Sequence, residues 1–162
     1  MIEKIISGGQ TGADRAGLDA ALALGIPHGG YCPAGRLCEN GAIPQKYNLI
    51  EMGSKKYHYR TEKNVLSSDG TIIFTKGQLS RGSKLTLDYC ARHNKPCLHF
   101  DFNYEKENKN KYFEQFINDY SIEVLNIAGQ RLTSEKSIYR LTYNFLLKVI
   151  GTNNNENVEV TI

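Results

Sequence analysis

Three glycine-containing loops each follow a short apolar run directly, and this repeated arrangement restricts the folds open to the chain. The apolar runs are residues 2–6, 71–74 and 122–127, and a helical pattern begins after each loop. Continuous apolar runs, without polar alternation, indicate strands buried on both faces. The chain is therefore predicted to be a Rossmann-like α/β protein, with a doubly wound, mainly parallel sheet and helices on both faces.

The rest of the sequence continues the alternation of predicted strands and helices, as in a single domain. We predict residues 1–150 as a single domain and residues 151–162 as a polar tail that frays, in which 158–162 alternates well enough to add an edge strand. The other predicted elements are strands at 27–31, 47–51 and 97–102, helices at 13–24, 57–66, 83–93 and 111–118, and a last helix from 138. Residues 32–46 have no regular pattern, and an ordered loop of that length is commonly functional.

Composition excludes several classes of protein. The 162 residues are 40% hydrophobic and 23% charged, which is typical of a globular domain. No apolar run approaches the ~20 residues of a membrane span, and the first residues lack a secretory pattern, so we expect a cytoplasmic protein without membrane contact. A net charge of +3 is too small to indicate nucleic-acid binding.

The loop SGGQTG after the first strand has the features of an anion site. Its glycines allow backbone N–H groups to approach a ligand, and the positive end of the following helix lies at the same place. The predicted binding residues here are Gly8, Gly9, Gln10, Thr11, Gly12 and Arg15. The sequence matches neither GxxxxGK[ST] nor GxGxxG. The alternative is a glycine turn that only lets strand and helix pack closely.

The other loops add further candidates beyond the strand ends. In the second loop these are Arg81, Gly82, Ser83 and Thr86, with the serine able to cap the next helix. Arg131 in the third loop and Arg36 in the irregular segment supply guanidinium groups suited to phosphate. Asp69 and Gly70 are included, although their pattern is mainly that of a turn. The alternative is helix punctuation for the second loop and local hydrogen bonding for Arg131.

Metal and hydrolytic sites are not indicated. Cys90, His93, Cys97 and His99 straddle a predicted helix end, a proline and a strand, which does not suit a zinc site. There is no GxSxG or HExxH motif. The four cysteines form no CxxC pair and are expected to be reduced.

Several segments together resemble the putative molybdenum carrier family, within a wider Rossmann-like group that includes the LOG-type, or lysine-decarboxylase-like, nucleoside-monophosphate phosphoribohydrolases. The segments are SGGQTGADRAGLDAAL, HGGYCPAGR, YRTEKNV with SDGTIIF, RGSKLT and LNIAGQR, spanning residues 7–131. The resemblance implies a doubly wound sheet, self-association into a homo-oligomer, and binding of molybdenum cofactor, another phosphorylated pterin, or a nucleotide at the strand ends.

One departure from the LOG-type pattern separates two hypotheses. In PGGxGTxxE the glutamate acts in glycosidic bond cleavage, whereas Thr86 occupies the matching position and Arg81 replaces a glycine. Threonine is not a general acid or base at neutral pH. The first hypothesis is a non-catalytic carrier of molybdenum cofactor or a related pterin. The second is a nucleotide-directed protein, either a binder or a hydrolase in which Glu39 or Glu62 substitutes for the missing glutamate.

Overall fold

A computed structural model of the chain describes residues 1–104 and 108–156, the last four of them by backbone alone. Within this part, the strands are β1 (Lys4–Ile6), β2 (His28–Gly29), β3 (Tyr31–Cys32), β4 (Leu37–Cys38), β5 (Gly41–Ala42), β6 (Ile50–Glu51), β7 (Gly70–Thr75), β8 (Cys97–Asp101) and β9 (Val124–Gly129). The helices are α1 (Ala13–Leu24), α2 (Tyr57–Leu66), α3 (Arg81–Arg92), α4 (Lys109–Asp119) and α5 (Ile138–Glu156).

Five strands form a parallel sheet in the order β2-β1-β9-β7-β8, which confirms the predicted Rossmann-like fold. The three strands that precede the glycine loops, β1, β9 and β7, are neighbours at its centre. Their carboxyl ends therefore bring the three loops together, at the edge where open α/β sheets bind ligands.

Both faces of the sheet are covered. Apolar side chains of α1, α4 and α5 pack on one face in the main core, which includes Phe74, Phe113 and Leu146. On the other face α2 and α3 pack against each other through Val65 and Tyr89. All six residues of β7 are buried, as expected for a central parallel strand.

The irregular segment predicted at 32–46 folds over the start of α1. It forms the small antiparallel β4–β5 hairpin, and its apolar side chains, including Ile43, Tyr47 and Leu49, enclose Leu18 of α1. We call residues 33–49 the strap. The strap covers the first glycine loop from outside.

Most boundaries differ from the sequence prediction by a few residues, and three of the differences change the description of an element. The predicted strand at 27–31 is divided into β2 and β3, since Gly30 has a φ of 124° and turns the chain between them. Helix α3 begins at Arg81, because Ser80 caps it. Helix α5 continues through 151–156, where a fraying tail was expected, and the suggested strand at 158–162 lies outside the described residues.

No helix in the described ranges has the length and apolar character that a membrane span requires.

Candidate functional site

A cavity of about 860 Å³ opens at the carboxyl ends of the central strands. It lies between the N-terminal turns of α2 and α3, the end of β9 and the loop that follows β9. Its lining residues are Gln10, Asp14, Lys56, Tyr57, His58, Arg60, Thr61, Ser80, Arg81, Gly82, Leu85, Thr86, Ala128, Gly129, Arg131, Thr133 and Ser134. The volume is within the range of small-molecule sites, about 300–1,000 Å³.

The N-terminus of α3 supplies one anion-binding wall of the cavity. Ser80 caps the helix by accepting a hydrogen bond from the N–H of Ser83 at 3.2 Å. The first N–H groups of any α-helix have no acceptor within the helix, which leaves those of Arg81 and Gly82 facing the cavity. The exposed Arg81 side chain adds a positive charge that forms no ion pair in the described part of the chain.

The N-terminus of α2 supplies a buried ion pair with α1. Arg60 donates from Nη1 to Asp14 Oδ2 at 3.2 Å, and these side chains are only 12% and 7% exposed. Burial raises the pKa of Asp14 above its usual value, while the charges of Arg60 and Arg131 and the Gln10 N–H oppose that rise. Burial also lowers the pKa of Arg60. The Arg60 guanidinium occupies the space that a Cβ of Gly8 would need, so Gly8 makes room for this pair.

Arg131 lies between the cavity and the strap. Its guanidinium is 4.8 Å from the centre of the Tyr57 ring, and its Nε is 3.0 Å from Oε1 of Glu39 at the tip of the β4–β5 hairpin. Oε2 of the same carboxylate accepts hydrogen bonds from Thr11 Oγ1 at 2.5 Å and Thr133 Oγ1 at 3.3 Å. The Glu39 carboxylate therefore lies beside the cavity and is paired with the cationic side chain of Arg131.

The first glycine loop uses its hydrogen-bonding groups within the protein. The Gly9 N–H donates to Ser7 Oγ at 3.2 Å, and the Gln10 N–H donates to Asp14 Oδ2 at 3.3 Å. The Thr11 hydroxyl donates to Glu39. Of this loop only Gln10 lines the cavity, and its Nε2 donates to Leu37 O at 2.9 Å. The carboxylates of Asp14 and Glu39 thus accept hydrogen bonds from loop groups that we predicted to contact a ligand.

Two predicted ligand-binding arginines have structural contacts and do not line the cavity. Arg15 donates to Gly9 O at 3.0 Å and lies over the Tyr47 ring, which joins the loop to the strap. Arg36 is buried and donates to four carbonyl oxygens within the strap, those of Ile43, Pro44, Tyr47 and Leu49. Neither guanidinium is among the groups that line the cavity, and a ligand contact for Arg15 or Arg36 stays a prediction.

Two further candidates lie at the opposite edge of the sheet. The Asp69 carboxylate accepts the N–H groups of Glu123 and Val124 at 3.1 and 2.7 Å, beside the amino end of β9. Gly70 opens β7 beside it. Both residues lie at the amino end of β7, away from the carboxyl-end cavity, and the Asp69 hydrogen bonds are those expected of a turn.

Five of the predicted residues line the cavity, and the sequence prediction missed much of the remaining wall. The five are Gln10, Arg81, Gly82, Thr86 and Arg131. Ser83 is buried in the first turn of α3 and is not the helix cap. The other wall is the start of α2, where Arg60 lies about one helical turn after Lys56 and Tyr57. Their aromatic and basic spacing was the available signal, but α2 does not follow a strand of the main sheet.

The two cysteines considered above contact each other, but the two histidines lie apart from them with other partners. Cys90 and Cys97 pack beside Val65, whereas His93 lies 2.8 Å from Glu62 and His99 lies 2.7 Å from Thr75 Oγ1. Within residues 1–104 and 108–156, no three His, Cys, Asp or Glu side chains come together as a metal-ligand set.

Comparison with known proteins gives a family match over most of the chain. The model described as "cpYpsA: Circularly permutated YpsA SLOG family" matches residues 5–150. Among solved structures, the chain is similar to the crystal structure of a putative molybdenum carrier protein from Syntrophus aciditrophicus SB. The two are 48% identical with a TM-score of 0.88, and the match covers 91% of this chain and 94% of the other. The comparison with curated proteins gave no match.

Proposed function

Because this chain belongs to the circularly permuted YpsA branch of the SLOG family, we propose that its cavity binds a phosphate-bearing small molecule. The observation that carries this proposal is the meeting of the α3 N-terminus with Lys56 and Arg81 at one cavity. Asp14 balances Arg60 and Glu39 balances Arg131, whereas Lys56 and Arg81 have no acidic partner among the described residues. Two unpaired cations and free helix N–H groups suit a phosphate.

We propose further that the ligand is molybdenum cofactor or a related phosphorylated pterin, carried without catalysis. The name of the Syntrophus aciditrophicus relative supports this choice. The lining of the cavity fits such a molecule. The N-terminus of α3 would bind its phosphate, and Tyr57 and Leu85 in the same cavity would pack against its planar ring. When bound, the cofactor would supply molybdenum chemistry to another protein, and this chain's residues would hold and shield it.

Native mass spectrometry of the purified protein, with metal analysis of the same sample, tests the ligand. We expect a co-purified mass that corresponds to a phosphorylated pterin, with or without molybdenum. A stoichiometric nucleotide in its place would contradict the pterin assignment. Light scattering on this sample also tests the homo-oligomer implied by the family resemblance, which remains a prediction.

The phosphate subsite can be tested separately from the ring. Replacing Arg81 by alanine should weaken binding of inorganic phosphate about tenfold at low salt, because hydrogen bonds to charged groups contribute about 1.5–3 kcal/mol. Isothermal titration calorimetry or NMR titration measures the change. Arg140→Ala removes another exposed charge, from α5, and should leave the affinity unchanged. Equal affinities for Arg81→Ala and wild type would remove the α3 terminus from the site.

The position of Asp14 favours a second candidate function, that of a nucleotide hydrolase. It is the one carboxylate that lines the cavity among the described residues, and a carboxyl with a raised pKa is suited to general acid catalysis. The earlier alternatives are placed less well: Glu39 pairs with Arg131 beside the cavity, and Glu62 pairs with His93.

We nevertheless predict that the protein releases no free base from AMP or GMP above the uncatalysed background. Asp14 Oδ2 is held by Arg60 and by the Gln10 N–H, and the Thr86 hydroxyl donates to Gly82 O at 3.1 Å. Neither group is placed to protonate a leaving base or to stabilise charge on a ribose. Chromatography of the incubated nucleotides measures the product. Release that disappears in Asp14→Asn would replace the carrier function by the enzymatic one.

A further inference from the structure

We propose that Thr11, Arg131 and Thr133 form a second anion subsite beside the cavity, with which the Glu39 carboxylate is paired. The inference rests on the proposed function and adds to it a ligand class, namely molecules with two linked anionic groups such as a diphosphate. A ligand of this class binds by taking the place of the Glu39 carboxylate.

The contacts of Glu39 are those of a bound anion. Its side chain is 13% exposed, although its neighbour Asn40 at the hairpin tip is exposed. Both carboxylate oxygens point to groups outside the strap: Oε1 to the Arg131 guanidinium, and Oε2 to the hydroxyls of Thr11 and Thr133. One guanidinium and two hydroxyls are also the groups that proteins use to bind phosphate.

The backbone adds to the favourable field at this position. Thr11 lies two residues before the first residue of α1, so the carboxylate is bound beside the positive end of that helix. The sequence SGGQTG was predicted to bind an anion at this helix terminus. The structure places an anion there, but it is the side chain of Glu39.

The subsite belongs to the same cavity as the α3 terminus and is accessible from it. Arg131 and Thr133 line the cavity together with Arg81 and Gly82. The Arg131 side chain is 34% exposed, so a ligand can reach the guanidinium without unfolding of the core. A single phosphate satisfies the α3 terminus alone, whereas a second linked anion competes with the Glu39 carboxylate for the Arg131 guanidinium.

At the base of the hairpin that carries Glu39, Gln10 Nε2 donates to Leu37 O and Cys38 is buried, whereas Asn40 at the tip is exposed. β4 and β5 are two residues long, and both residues of β5 are exposed. The larger part of the strap is fixed separately by the buried Arg36. Displacement of Glu39 therefore requires movement of the hairpin tip and leaves the rest of the strap in place.

Titration of Glu39→Gln with inorganic pyrophosphate and with inorganic phosphate tests this subsite. The variant should bind pyrophosphate about tenfold more tightly than wild type, because the competing carboxylate is gone, while its affinity for phosphate should change less than about twofold. Glu39→Ala should behave in the same way. Glu51→Gln is the matched control, since this exposed carboxylate accepts a hydrogen bond from the Gly35 N–H at the other side of the strap.

A double-mutant cycle separates the subsite from a general effect of charge. In Glu39→Gln/Arg131→Met the gain in pyrophosphate affinity should vanish, since the cation that Glu39 competes for is absent. Unchanged or weaker pyrophosphate binding in Glu39→Gln would overturn the inference, as would an equal gain for phosphate that persists without Arg131. If wild type and Glu39→Gln bind neither anion, the proposed function fails as well. If Glu39→Gln does not gain pyrophosphate affinity but phosphate binding still depends on Arg81, the inference fails and the proposed function stands.

Discussion

Replacing Arg36 by methionine is expected to lower the free energy of unfolding by about 3–5 kcal/mol. The side chain is buried, and its three nitrogens donate to carbonyl oxygens of Ile43, Pro44, Tyr47 and Leu49 at 2.9–3.3 Å. Methionine retains apolar volume but leaves these acceptors without donors, and each buried unsatisfied group costs about 1–3 kcal/mol. Urea denaturation followed by circular dichroism measures the loss.

The same variant should also expose the strap to proteolysis. Lys46 lies between Pro44 and Tyr47, whose carbonyl oxygens accept hydrogen bonds from Arg36. Limited trypsin digestion is therefore expected to cleave after Lys46 sooner in Arg36→Met than in wild type. Arg140→Met removes an exposed arginine and serves as the control, with a stability within about 0.5 kcal/mol of wild type. A stability loss below about 1 kcal/mol with unchanged digestion would mean that Arg36 is dispensable, and would reopen a ligand-binding role.

Replacing Gly129 by alanine should destabilise the protein by about 3 kcal/mol or more. Gly129 ends β9 with a φ of 155°, and a Cβ there would collide with the carbonyl of Phe74 on β7 and approach Ala13 Cβ to 2.7 Å. Strained backbone alone costs about 1–3 kcal/mol, and neither neighbour is the end of a flexible side chain. Thermal and urea unfolding of the variant measure the effect.

A second glycine provides the comparison for Gly129. A Cβ at Gly53 meets no atom within 4 Å, and Gly53→Ala should therefore stay within about 0.5 kcal/mol of wild type. Since Gly129 lines the cavity, Gly129→Ala is also expected to lose phosphate affinity at concentrations where it remains folded. Equal stability of the two alanine variants would contradict the close approach of β9, β7 and α1 at this edge.

Much of the fold was predictable because local patterns and the tertiary structure agree. The bounds of α1 and α2 match the prediction, since Gly25 ends the first and the Asp69–Gly70 turn follows the second. The fully buried β7 was recognisable from its apolar run. The adjacency of β1, β9 and β7 follows from the sheet order, which places three loops that are distant in sequence at one cavity.

The sequence by itself determined the fold class, the edge of the sheet that carries the loops, and the kinds of side chain available there. Only the tertiary structure decided how those groups are used. Arg36, Arg15 and Glu39 are all polar residues in or beside irregular segments, and no local pattern distinguishes a guanidinium that holds carbonyls from one that faces a ligand. The difference depends on which distant chain packs against each group, because buried charges and donors must find partners wherever the fold provides them.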